Sequence, residues 1–255
     1  MPVEGGSTRR RHRGWRVLGM IALVLAAAVV LYLGVRGLIN VCNQVRAGDA
    51  ADRAYARALP DTEAWGAQAR GTLEPVLGAP VGWRQEVACR VHPQLGGWFA
   101  YDHLHSCSMR RTEVFAVSGE REARAALALV PAEVRVMVLG DPIPAHQSRG
   151  CLWLYEQPWG SPTGDRSVRL TADLQEPGTD RCRSLDPYAE ETLDSRFALH
   201  SEGNLDDRSL AGETVLVLVR EQSLGTTNLG CSAFSVIFCQ VPLLARAQLP
   251  SALDG

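Results

Sequence analysis

At 255 residues the chain is long enough for one sizeable core, and 46% hydrophobic against 21% charged residues excludes a wholly disordered protein. Acids number 28 and bases 26, every base is Arg, and the net charge of -2 excludes a polybasic nucleic-acid binder. The charge is unevenly placed: five arginines and Glu4 give residues 1–16 a net +4, and 21 arginines against 27 acids leave -6 for the rest.

Residues 1–16 are too short and polar to fold and read as a basic cytoplasmic tail. Val17 to Val35 then run for 19 positions without a charge, which at about 1.5 Å per residue reaches the roughly 30 Å of a bilayer core. This is a transmembrane helix by length and composition. Arg9, Arg10, Arg11, Arg13 and Arg16 precede it, whereas Arg36 to Ala50 holds only Arg36 and Arg46, so the positive-inside bias puts the N-terminus in the cytoplasm and the remainder outside. The competing reading is a signal peptide cleaved near Val45-Arg46-Ala47. The apolar run exceeds an ordinary signal h-region, and that site lies well beyond it. Thr214–Val219 and Cys231–Ala245 are too short for a second span.

Residues 36–59, Ala-rich and dotted with charge, predict a helical stalk, and residues 60–245 an extracytoplasmic α+β domain, followed by a tail at 246–255. Pro60-Asp61 predicts the start of a separate helix, with Trp65, Ala69, Leu73, Val76 and Leu77 on one face and Gly78 and Pro80 ending it. Strands are expected near Glu86–Val91 and Ser108–Val117, a helix at Glu120–Val130, and strands at Val134–Leu139, Cys151–Glu156 and Ser167–Leu174. In the last of these, Val168, Leu170, Ala172 and Leu174 alternate with polar residues, predicting one solvated face. Asp186-Pro187 predicts a helix to about His200, Thr214–Val219 a strand covered on both faces, and Phe234–Gln240 a final strand. The order of elements predicts a mainly antiparallel sheet with helices, and residues 61–117 and 186–240 share a weak helix–strand–strand repeat.

Seven cysteines lie beyond the span, at 42, 89, 107, 151, 182, 231 and 239, on the side where disulfides persist. Six of them allow 15 connectivities, and neighbours in sequence are the default: Cys89 with Cys107 across a hairpin, Cys151 with Cys182, and Cys231 with Cys239. The last pair forms only if the chain folds back, because a straight strand of that length separates its ends by roughly 26 Å. Cys42, the odd one, predicts either an intermolecular bridge in a homodimer or a buried or interfacial thiol.

Two constellations carry possible chemistry. Asp102, His103 and His105 beside Cys107 supply groups for a hydrolytic site or a metal, against the plainer reading of a solvated loop with two surface histidines. Trp98 and Tyr101 in a Gly-rich loop are candidate binding residues, against packing in a hairpin. No CxxC, GxSxG, SxxK, HExxH or phosphate-binding glycine loop occurs, so no cofactor, metal or catalytic residue is implied.

The stretch Leu216–Leu243, with Gly230, Cys231, Ser232, Cys239 and Pro242, resembles the end of uncharacterised single-pass membrane-anchored proteins of high-GC, actinobacterial-type bacteria. That resemblance implies a location and no activity. The expectation is therefore an envelope protein whose partners are the bilayer, an unknown protein or ligand, and a second copy through Cys42. An anchored exoenzyme and a structural subunit of an envelope complex are the alternatives.

Overall fold

The computed structural model describes residues 8–96, 99–129, 146–148, 151–156, 168–175, 196–205, 210, 213–232, 239–242 and 245–253; side chains are described for 18–94, 102–129, 171–175, 196–205, 210, 213–232, 239–242 and 245–253. One helix, α1, runs unbroken over Thr8–Leu77, 70 residues and about 105 Å long. The helix boundary expected at Pro60 is absent, since Pro60 and Pro75 both lie inside α1. An internal proline costs about 3 kcal/mol of helix stability. Here the neighbours of Pro60 on the buried face, Ala58 and Thr62, are each 1% exposed, and their packing holds the turn helical. The end falls where the sequence puts it: Gly78 takes φ 85° and donates its N–H to the Glu74 carbonyl at 2.9 Å.

The helix has two surroundings. Its most apolar 18-residue stretch has a mean hydropathy of 2.6 and is not buried against the protein at all, with Leu23, Leu31 and Val30 about as exposed as side chains on a free helix. From Gln44 onward, Ala47, Ala51, Tyr55, Ala58, Thr62, Trp65, Ala69 and Leu73 are buried at spacings of three and four. The stretch expected as a free stalk is thus helical, but its second half is already part of the folded domain.

The described strands form one antiparallel sheet: β1 (Gly82–Gly96), β2 (Phe99–Ala116), β3 (His146–Ser148), β4 (Cys151–Glu156), β5 (Val168–Gln175), β6 (Phe197–Gly203) and β7 (Val215–Asn228), in the order β3-β4-β5-β7-β2-β1-β6. A second helix, α2 (Glu120–Leu129), follows β2 as expected and buries Ala123 and Ala126. The expected solvated loop between Cys89 and Cys107 is instead hairpin: β1 and β2 continue as far as Gly96 and Phe99. Phe197–His200, expected to be helical, is strand β6, because the open edge of β1 takes its backbone groups into a ladder and this outweighs local helix propensity. Over its described side chains, 171–175, β5 lacks the expected solvated face: Thr171, Asp173 and Gln175 are buried together with Ala172 and Leu174. Among the described residues 186–240 do not repeat the β1–β2 hairpin, since β6 and β7 are separated by β1 and β2. The expected strand at 134–139 and helical residues 186–195 lie outside the described residues, as does most of the expected strand at 234–240.

The odd-numbered residues of β2 face α1. Phe115 joins Trp65, Ala69, Leu73, Leu174, Leu216 and Leu218 in one core cluster, while Met109 and Cys107 join Ala51, Tyr55, Ala58, Val87 and Leu224 in another. On the opposite face Val114, Val215, Val217 and Val219 pack with Leu210. Val215–Val219 are all buried, as their continuous apolar run predicts.

Between the two α1-facing clusters sits an ionic one. Glu113, fully buried, accepts from Arg70 Nη1 at 2.6 Å and Arg111 Nε at 2.9 Å through the same oxygen. The Arg111 guanidinium lies 3.7 Å from the Trp83 ring centroid and its Nη1 donates to Gln85 at 3.5 Å. Burial pushes the Glu113 carboxyl up and pulls Arg111 down, and the attraction between them opposes both shifts. Gly66 makes room for the cluster, because a Cβ there would come within 2.7 Å of the Glu113 carboxylate. Glu113→Ala leaves two guanidiniums without their shared carboxylate and is expected to cost about 3–5 kcal/mol in denaturant unfolding of the detergent-solubilised chain. A loss below about 1 kcal/mol would remove the cluster from this role.

Candidate functional site

Two disulfides are described. Cys89 and Cys107 face each other in the β1–β2 register with Cα atoms 4.1 Å apart. Cys231 and Cys239 are joined with Cα atoms 5.0 Å apart, and the fold-back this requires is closed by Ser232 N–H donating to Gln240 O at 2.8 Å. The Cys231 carbonyl accepts from Asn40 of α1 at 3.3 Å, so this second bridge sits at the start of the packed half of the helix. Cys42 is a free, exposed thiol. Cys182 and the side chain of Cys151 lie outside the described residues, as do Trp98 and the side chain of Tyr101.

His103 and His105 are neither surface residues nor partners of Asp102. They alternate with Cys107 on the α1-facing side of β2 and are 3% and 2% exposed. His103 Nδ1 lies 3.5 Å from Cys239 Sγ. His105 Nε2 accepts the Gln248 backbone N–H at 3.2 Å, which places the ring proton on Nδ1 and ties down the C-terminal segment. Asp102 belongs to the opposite face, where it accepts from Asn228 Nδ2 at 2.7 Å. The three residues therefore do not converge on one site. His105 does lie with the sulfurs of Cys89 and Cys107 inside 4.8 Å, a metal-like grouping, but both sulfurs are joined in the disulfide and are not thiolate ligands.

A concave feature lies on the sheet face turned away from α1. A cavity of about 320 Å³ is lined by Ala88, Arg90 and His92 of β1, Ser106 and Ser108 of β2, Phe197 of β6, and Glu221, Ser223 and Thr226 of β7, with Cys107 at its floor. Strand alternation brings these together: Arg90 pairs in register with both Ser106 and Phe197, Ser106 with Thr226, and Ser108 with Ser223. His92 Nε2 and Ser106 Oγ are 3.1 Å apart, a hydrogen bond in either sense. A His–Ser pair evokes nucleophilic catalysis, yet Ser106 is paired on both sides in the ladder, so its backbone offers no oxyanion-binding N–H. The groove presents hydroxyls, an imidazole, a guanidinium, a carboxylate and one aromatic edge, a set suited to holding a polar ligand. The sequence reading missed it, although the Cys89–Cys107 pairing implies the register that places Arg90 opposite Ser106.

No protein-family profile, curated protein or solved structure matches the chain.

Burial lowers the pKa of His105, and of His103 likewise, below the usual histidine value. A folded-state value below the unfolded one means that the unfolded chain binds more protons as the medium acidifies. The contribution to stability is complete above about pH 6.5 and is lost as pH falls toward the folded value. Unfolding temperature is expected to fall between pH 7 and pH 5, and His105→Gln, which keeps an acceptor but cannot titrate, is expected to flatten that fall. An identical pH profile in the variant would discard His105 as the acid-sensitive contact.

Proposed function

We propose that the chain is a single-pass membrane protein with its N-terminus in the cytoplasm, and that its disulfide-stabilised domain binds a polar ligand or partner in the cell envelope through the groove around Arg90, His92 and Ser106. The carrying observation is α1: one helix, apolar and unburied in its first half, built into the core of a disulfide-bonded domain in its second. An apolar N-terminal helix followed by disulfides fits a membrane-anchored domain. The arginines before residue 17 support the orientation, and the resemblance of the C-terminal stretch to membrane-anchored proteins of high-GC bacteria supports the same location. Binding is favoured over hydrolysis because Asp102 is on the other face from His103 and His105, and because the backbone of Ser106 is taken up in the ladder on both sides.

On intact cells a membrane-impermeant maleimide is expected to label a cysteine placed at the exposed Arg57 in the Cys42→Ser chain (Arg57→Cys), with the Cys42→Ser chain itself left unlabelled. Labelling that requires cell lysis would reverse the orientation. For the groove, a photo-reactive phenylalanine analogue introduced at Ser223 is expected to give an ultraviolet-dependent adduct in living cells, while the same analogue at the exposed Arg57 of α1 is not. Equal adducts at both positions, or none at Ser223, would sink the groove as the binding surface.

A further inference from the structure

α1 retains an apolar face where the span is already complete. Beyond Arg36, the side turned to the domain is polar and engaged: Asn40, Asn43 and Gln44 donate to the carbonyls of Cys231, Leu229 and Arg246. The opposite side carries Leu38 at 65% exposed, Cys42, and Val45 at 57%. Their spacing of four and three continues a strict heptad alternation upward from Leu31 and Val35, both exposed. Within the span such a pattern carries no phase, because every position there is apolar. Between 36 and 45 it does, because the polar residues are confined to the other face. Asp49, the next position of the seam, closes it with a charge.

We infer that a second copy of this chain packs in parallel along this seam, with Leu38, Cys42 and Val45 meeting their own counterparts. The inference rests on the membrane-anchored reading, since two chains inserted with the same orientation have parallel helices in register and a two-fold axis pairs each seam residue with itself. A seam with a 3.5-residue period winds two helices left-handedly at an axial separation of about 8–10 Å. With Cα atoms about 2.3 Å from each axis, facing Cα atoms stand about 3.4–5.4 Å apart, overlapping the range a disulfide spans. Cys42 is the free thiol among the described residues and it occupies a seam position. The packed half of α1 keeps the described residues of the domain on the far side, so they do not obstruct the approach.

Single cysteines placed in the Cys42→Ser full-length chain by Leu38→Cys, Ile39→Cys, Val41→Cys or Val45→Cys, beside the native Cys42 chain, are treated in isolated membranes with an aromatic disulfide oxidant, which takes up the two electrons and two protons released as each interchain bond forms. Non-reducing gels are expected to show several-fold more dimer for positions 38, 42 and 45 than for 39 and 41. A flat profile, as lipid covering the whole arc would give, overturns the inference. Leu38→Asn combined with Val45→Asn is expected to cut the Cys42 dimer several-fold while the protein stays in the membrane fraction; an unchanged dimer overturns it as well. Recovery of the unaltered chain in the soluble fraction overturns the anchored reading and this inference together, whereas membrane recovery with a flat profile overturns this inference alone.

Discussion

Everything described depends on one helix being continuous across a change in the character of its surface. An apolar helix in lipid satisfies its own backbone and needs no partner, whereas an amphipathic helix in water must bury its stripe. α1 meets both conditions without a break, because its sequence changes from apolar all round to striped over the single turn between Asn40 and Gln44. No flexible linker intervenes, since that turn is where the domain takes hold through Asn40, Asn43 and Gln44. The C-terminal segment closes the same region from outside, with Ser251 N–H donating to Asp52 at 2.6 Å. Residues far apart in sequence therefore meet at the base of the domain, and the order of that base depends on the helix staying straight through it.

The sheet divides the chemistry between its faces. The side against α1 is mostly apolar and holds ionic and polar pairs such as Arg70–Glu113–Arg111 and His105 with Gln248. Burying these groups demands partners, since an unpaired buried charge costs several kcal/mol. Those side chains are committed to structure. The other face gathers hydroxyls and charges around a groove, and this is a physical reason to seek recognition there and not among the histidines. A histidine cluster in sequence attracts attention because imidazole is versatile, but on a strand the same alternation that groups His103 with His105 also turned both inward.

Much of the architecture is legible in the residues. The span, the Gly78 stop, the α2 helix, the buried run Val215–Val219 and the Cys89–Cys107 bridge all follow from local chemistry. What escaped is tertiary in origin. Pro60 signals a helix start by every local rule, and only the sheet pressed against Ala58 and Thr62 overrides it. Phe197–His200 has helix-forming composition, yet the unfilled edge of β1 made it a strand. β5 alternates as a half-exposed strand does, but it lies between β4 and β7 and its polar face is covered. The groove could have been approached from sequence: in an antiparallel hairpin bridged between 89 and 107, partners sum to a constant, which sets Arg90 against Ser106 and makes His92 their diagonal neighbour. That step needs the hairpin to run straight through the disulfide, and Gly96-Gly97 invited a loop reading instead.

The rigid coupling of helix and sheet has a consequence for what the groove can reach under the proposed membrane placement. Val91, on the strand segment behind the groove, packs with Ala47, and Cys89 and Cys107 pack with Ala51 and Tyr55. Ala47 and Tyr55 lie 12 and 20 residues beyond Val35, about 18 and 30 Å along the axis. The groove is thereby held at a set height above the bilayer core, on the side of the sheet opposite the helix. A domain on a loose tether would sweep a volume and trade local concentration for reach. This one cannot bend down to lipid or extend outward, so a ligand must come to a layer some 20–30 Å from the hydrocarbon edge. In a two-fold dimer with the helices at the centre, the two grooves face away from one another, and one ligand of ordinary size cannot bridge them.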